Sequence, residues 1–279
     1  MKRNVWFVTG ASQGIGLSLV KELLNQNYKV AATSRSIQRL TQSVGKEEND
    51  NFLPIEVDLT NENSVKDSVS KAVTKFGTID VLVNNAGHGF RGALEETSIA
   101  ESRQLFEDNY FSMISVLHQV LPIMRQNHNG LIFNVSSIQT LITLPYSSQY
   151  CATKAAIVAM STSLAEEVKD FNIKVVPVEP GPFETNFCLP SNLSSAKNMM
   201  HEYDQVRERS TPPPNNKSGK RDGDPDRAAK VFIDIAKLEE SPKLLMMGKM
   251  CLDFSRKKID EMNDEREKWK EYTARCSYE

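Results

Sequence analysis

Val5-Trp6-Phe7-Val8-Thr9-Gly10-Ala11-Ser12-Gln13-Gly14-Ile15-Gly16 joins an apolar run to a glycine-rich turn. Residues 5–9 read as a buried β-strand, and the glycines that follow open a helix. The free backbone N–H groups and the dipole at a helix N-terminus can hold a pyrophosphate. Gly10 permits the tight turn, Gly14 lets the chain approach the phosphates, and Gly16 lets the helix pack against the sheet. Ser12 and Ile15 belong to the same loop and helix start. A glycine-rich turn also suits an ordinary strand-to-helix connection, so its place after the first strand carries the reading.

Further along the chain, β-rich apolar runs recur at 29–33, 52–57, 81–84, 131–135 and 174–178. Between them, apolar residues at three- and four-residue spacing predict helices over 15–27, 63–76, 101–126 and 147–171. Strands alternating with helices imply right-handed crossovers and one doubly wound parallel sheet, an α/β fold in a single domain spanning 1–279. From 186 to 226, Pro, Ser and Asn clusters interrupt the pattern, with little regularity until about Met199. A long loop inside a compact domain is usually functional, and 186–226 is read as a substrate lid. Regularity returns with a helix over 225–238, an edge strand over 243–247 and a charged C-terminal helical extension over 249–272.

The formal net charge of -2 supplies no reservoir of positive potential for a phosphate backbone, which argues against a nucleic-acid partner. Cys151, Cys188, Cys251 and Cys276 are scattered without a CxxC pair, which reads as free thiols and no metal site. The apolar run after Lys2-Arg3 is too short for a signal segment, and no stretch reaches the roughly 20 apolar residues of a membrane span. The expected location is cytoplasmic.

At the end of the second strand, NAD-binding folds place a carboxylate on the adenosine ribose, where it repels a 2′-phosphate. Here the chain reads Thr33-Ser34-Arg35-Ser36. Ser34 removes the carboxylate and the Arg35 guanidinium can pair with phosphate, so NADP(H) is the expected cofactor. An exposed loop arginine without a ligand is the bland alternative.

Tyr150-Cys151-Ala152-Thr153-Lys154 sets a phenol and an ammonium four residues apart on one helix face. A phenol's pKa of about 10 falls beside a positive charge, which suits Tyr150 to general acid or base work. Such pairs are common on helices, but Asn134-Val135-Ser136-Ser137 ends the fifth strand at the carboxyl edge of the sheet, where open α/β folds bind ligands. From there the Ser137 hydroxyl can donate to a carbonyl oxygen while Tyr150 delivers the proton.

Thr9 to Gly16, Asn84-Asn85-Ala86-Gly87, Ser137, Tyr150, Lys154 and Pro180-Gly181, in this order, resemble the short-chain dehydrogenase/reductase family with its Rossmann fold. The resemblance implies that Lys154 and Tyr150 also meet the nicotinamide ribose, that Asp58 contacts the adenine, and that Asn85 and Ala86 line the adenosine side. It implies further that Phe183 and Thr185 meet the carboxamide. Asn109 would hold a water in a proton relay to the lysine, although Ser112 stands where the family usually has glycine. Residues 224–229 and the terminal helix with Trp269 are similar to 17β-hydroxysteroid-dehydrogenase-like and retinol-dehydrogenase-like reductases.

The expected function is hydride transfer between nicotinamide and a small-molecule carbonyl or secondary alcohol. Phe187, Leu189, Leu193, Met199 and Met200 in the lid suit either a hydrophobic substrate or plain loop packing. A non-catalytic NADP(H) sensor, or an isomerase or dehydratase on the same residues, are the competing readings. His88, beside Gly87, faces either the substrate or nothing catalytic. Family resemblance also implies a possible homodimer through the helices at 101–126 and 147–171.

Overall fold

β1 (Val5–Val8) buries all four side chains, because it has neighbours on both faces of the sheet: Trp6 and Val8 enter one apolar cluster, Val5 and Phe7 the other. The computed structural model describes residues 3–189, 193–210 and 221–278. From β1 the chain runs through α1 (Gly14–Asn25), β2 (Lys29–Ser34), α2 (Ile37–Val44), β3 (Phe52–Glu56) and α3 (Glu62–Phe76). It continues through β4 (Val81–Asn84), β5 (Gly89–Arg91), α4 (Ile99–Phe106), α5 (Ser112–Asn127), β6 (Gly130–Val135) and α6 (Ser148–Glu167). Then come β7 (Ile173–Pro180), β8 (Leu193–Ser195), α7 (Asp204–Arg209), α8 (Pro225–Lys237), β9 (Leu245–Met247) and α9 (Lys249–Ala274).

Seven of these strands form one parallel sheet in the order β3-β2-β1-β4-β6-β7-β9. α1, α2 and α8 cover one face and α3, α5 and α6 the other, each by an apolar stripe such as Leu19, Val20, Leu23 and Leu24 on α1. The chain leaves β1 in one direction and returns to β4 on its other side, so the strand order reverses between them. The crevice at such a reversal is where open α/β sheets bind ligands.

The sheet, the six buried strands, the single domain and the terminal helix agree with expectation; α9 runs from Lys249 to Ala274, slightly past the expected end. Three local features differ. α2 was absent from the sequence reading; Ser36 caps it by accepting from the Arg39 N–H at 3.3 Å, and Gly45 ends it in the left-handed conformation. The helix expected over 101–126 is α4 and α5 joined by a π-helical turn, Glu107–Phe111. Within the expected lid, β8 pairs in parallel with β5, and α7 follows. Residues 190–192 and 211–220 of that lid lie outside the described residues. No described helix is long and apolar enough to cross a membrane.

Candidate active site

The turn after β1 is held from behind. The Thr9 hydroxyl accepts from the Asn85 and Ala86 N–H groups at 3.0 and 3.1 Å, and the Asn85 amide donates to the Thr9 and Gly10 carbonyls, both at 3.1 Å. Gly10 has φ +65°, and a Cβ there would lie 2.8 Å from Ala86 Cα, so neither the backbone nor the space admits a larger residue. A Cβ at Gly16 would meet the Asn85 amide nitrogen at 2.5 Å. Thr9 is a residue the sequence reading missed as a site component, and the Asn85 side chain faces the turn.

The first turn of α1 leaves backbone N–H groups free and carries no acidic side chain to repel an anion. Ser12 and Ile15 flank it, both half-buried. Thr185 closes over the same turn, its Cβ 3.5 Å from where a Gly14 Cβ would stand. The Gly-rich turn and the chain after β7 thus form two sides of one groove. Phe183 is turned into the apolar core, packed on Gly223, and its carbonyl accepts from the Thr185 N–H at 2.9 Å.

Ser34 and Arg35 stand at the carboxyl end of β2, Arg35 exposed. The Arg35 charge acts on His88 and Asp108 across the crevice. A second cation reaches the Gly-rich turn: Arg39, in the first turn of α2, donates to the Gln13 side chain at 2.9 Å. Only the presence of α2, which the apolar spacing does not reveal, turns Arg39 toward this turn. Asp58 is exposed after β3, with one carboxylate oxygen accepting from the Thr60 N–H at 3.0 Å and hydroxyl at 2.7 Å.

Lys154, Tyr150 and Asn109 converge at the other end of the crevice. Lys154 is buried, its ammonium donating to the Val135 carbonyl at 3.1 Å and lying 5.8 Å from the Tyr150 ring centre. Burial lowers the Lys154 pKa to about 8. Asn109 is fully buried in the π turn; it accepts from the His88 N–H at 2.9 Å and donates to the His88 carbonyl at 3.0 Å and the Thr153 hydroxyl at 3.3 Å. Such π insertions concentrate at functional positions. Gly87 joins the two groups: a Cβ there would be 3.1 Å from the Asn109 side-chain oxygen and 3.3 Å from the Lys154 nitrogen. The hydroxyl of Ser112, the residue in place of glycine, donates to the Asp108 carbonyl at 2.7 Å.

Ser137 is buried after β6 and accepts from the Gln139 N–H at 3.2 Å. Its neighbour Ser136 donates to the Lys154 carbonyl at 2.8 Å, which ties this strand end to α6. The Tyr150 ring is buried with Phe90, Leu105 and Ala196, and Phe187 packs on it with ring centres 6.2 Å apart. His88 holds Asp108 at 3.0 Å through Nε2; the bond to Asp108 raises the imidazole pKa. Among the described residues no cluster of three or more His, Cys, Asp or Glu could hold a metal ion.

Glu179, just before Pro180-Gly181, is buried and pairs with the Thr140 hydroxyl, while its second oxygen has no partner among the described residues. Desolvation raises its pKa above the ordinary 4.5. In the window upward from 4.5, the unfolded chain has released this proton and the folded chain keeps it, so stability falls as pH rises. Glu179→Gln is expected to raise the melting midpoint at pH 8 by about 2–4 °C, near 1 kcal/mol for a chain of this size. Thermal melts at pH 5 and 8 check this, and an equal difference at both pH values would contradict it.

A model of the short chain dehydrogenase family matches residues 4–194, well over half of the chain. Oxidoreductase BOA17 of Botryotinia fuckeliana is 32% identical over 268 residues, 96% of this chain and 97% of that protein. Among solved structures, a short-chain dehydrogenase from Streptomyces avermitilis superposes with a TM-score of 0.87 at 31% identity, covering 98% of this chain and all of the other. A short chain dehydrogenase from Burkholderia cenocepacia J2315, in complex with NADP, gives 0.73 at 26% identity over 96% and 97% of the two chains. With fold, site order and relatives in agreement over nearly its whole length, this chain belongs to the short-chain dehydrogenase/reductase family of oxidoreductases.

Proposed function

We propose that the protein is an NADP(H)-dependent reductase or dehydrogenase acting on a hydrophobic carbonyl or secondary alcohol. The observation that carries this reading is the buried Lys154 ammonium beside Tyr150, which among the described residues has a backbone carbonyl and no carboxylate as its acceptor. A buried cation without a counter-charge is costly, and ribose hydroxyls at this position would complete its hydrogen bonding.

A dinucleotide fits the crevice at both ends. The free N–H groups of α1 and the glycine surface suit the pyrophosphate, Arg35 with Ser34 suits a 2′-phosphate, and Asp58, Ala86 and the Asn85 backbone stand on the adenosine side. Phe183 and Thr185 border the carboxamide end. When bound, nicotinamide supplies or accepts the hydride at its C4 carbon. Tyr150 gives the carbonyl oxygen its proton in reduction and takes the alcohol proton in oxidation. Ser137 donates a hydrogen bond to the same oxygen as its negative charge grows. Lys154 favours the ionised phenol, and Asn109, fixed by His88 and Thr153, orders the proton path behind it.

Phe187 and Ala196 place apolar surface around Tyr150, and Leu193 with Phe187 lies against Gly89, which supports a hydrophobic substrate and the steroid- and retinol-dehydrogenase-like subgroup. The lid reading of 186–226 belongs to the same proposal, with 190–192 and 211–220 outside the described residues. A cytoplasmic location and a homodimer through α5 and α6 belong to the same reading. The test is NADPH oxidation at 340 nm against aldehydes, diketones, quinones, steroids and retinoids, with NADH as control. Turnover preferring NADPH supports the reading; tight NADPH binding without turnover on any compound points to a sensor.

A further inference from the structure

β5 and β8 pair through only three residues each, too few to hold a segment in place by themselves. Side chains supply the rest. Glu96, in the turn after β5, has a wholly buried carboxylate. One of its oxygens accepts from the Ala93 N–H at 3.1 Å; the other accepts from the Met200 N–H at 2.8 Å and from Arg207 at 2.7 Å. Residues more than a hundred positions apart meet on that single group.

Arg207, on α7, has further partners. It donates to the Tyr146 hydroxyl at 2.8 Å and to the Met200 carbonyl at 3.2 Å, and it pairs with Asp204. The Tyr146 ring has the Arg207 guanidinium 5.6 Å from its centre and that of Arg91 at 5.9 Å. Its backbone has φ +64°, a conformation that a bulky residue holds only where its surroundings impose it, and its carbonyl accepts from the Gly92 N–H at 3.0 Å. Tyr146 lies one helical turn before Tyr150, where α6 begins. Arg207 therefore touches the turn after β5, the segment leading out of β8, and the start of the helix that carries Tyr150.

We propose that Arg207 is a positioning residue for the substrate site: locked between Glu96 and Tyr146, it fixes β8 and α7 as the wall over Tyr150. It thereby sets which substrates reach that tyrosine, a consequence that rests on the reductase reading. The chemistry is that of a buried carboxylate which needs its guanidinium. Once the cation is gone, Glu96 must find water, and the simplest route is for the 193–210 segment to lift away. Phe90, Tyr150 and Ala196 form one apolar cluster, so a displaced Ala196 uncovers the wall itself.

The experiment is hydrogen–deuterium exchange on the full chain, wild type against Arg207→Met, Arg207→Lys and Glu96→Gln, followed by kinetics with NADPH. In Arg207→Met, amides of 193–210 are expected to exchange at least tenfold faster, while those of β1 and α1 keep their wild-type rates. Arg207→Lys should fall between. The KM for a bulky apolar ketone should rise at least fivefold in Arg207→Met while its kcat changes less than twofold. Unchanged exchange over 193–210 overturns the proposal, as does a kcat loss with KM intact. A wild-type chain that reduces none of the compounds sinks the reductase reading instead, and the exchange data then decide by themselves whether Arg207 fixes this wall.

Discussion

Tyr150→Phe is expected to lower kcat by about 10²–10⁴-fold, the range general acid–base catalysis contributes. The substitution isolates one atom. The ring packs among Phe90, Leu105, Ala196 and Phe187, and phenylalanine keeps every one of those apolar contacts. The affinity for NADPH should fall by less than about tenfold, because only the hydroxyl's contact with the ribose is lost while Lys154 and the Gly-rich turn are untouched. Calorimetry for the cofactor, a thermal melt for the fold and steady-state kinetics for turnover separate these terms. A kcat loss of less than tenfold would remove Tyr150 from the proton transfer and leave Ser137 or a water as the donor.

Arg35→Ala should weaken NADPH binding by about 10–100-fold and leave NADH nearly unchanged, since a charged hydrogen-bond pair contributes about 1.5–3 kcal/mol. Adding Ser34→Asp should carry the preference over to NADH, because the new carboxylate accepts from ribose hydroxyls and repels the phosphate. Arg39 complicates the count. Its guanidinium is held on Gln13, beside the phosphate turn, and in Arg35→Ala it remains as a nearby cation. The double replacement Arg35→Ala, Arg39→Ala should therefore exceed the single one. Equal losses for NADPH and NADH in Arg35→Ala would assign the residue to the fold and leave the coenzyme preference without its reader.

Most of the sheet was legible because its signals are local. Val5, Trp6, Phe7 and Val8 are apolar on both faces, as a central parallel strand requires, and the turn that follows contains its own glycines. α2 escaped because only Leu40 and Val44 of its eight residues are buried, too short a stripe to stand out; Ser36 and Gly45 were its readable ends. The π turn escaped for a different reason. One extra residue per turn leaves the apolar spacing intact on either side, so 101–126 reads as continuous while Asn109 is rotated inward. Thr9, Glu96, Tyr146 and Arg207 derive their roles from partners far away in sequence, and no spacing rule brings them together.

Ser137, Tyr150 and Lys154 could be singled out from order and spacing, since the fold fixes where each strand and helix ends, whereas Asn109 was carried by the family resemblance alone. The raised Glu179 and the His88–Asp108 pair could not be, because they depend on what lies above the strand ends.

The clasp made by Thr9 and Asn85 governs how a dinucleotide would arrive. With one hydroxyl and one amide holding the phosphate turn in shape from the protein side, that loop loses its freedom during folding, before any ligand is present. Association then has no loop to order, which favours affinity through preorganisation and a single fast kinetic phase in stopped-flow mixing.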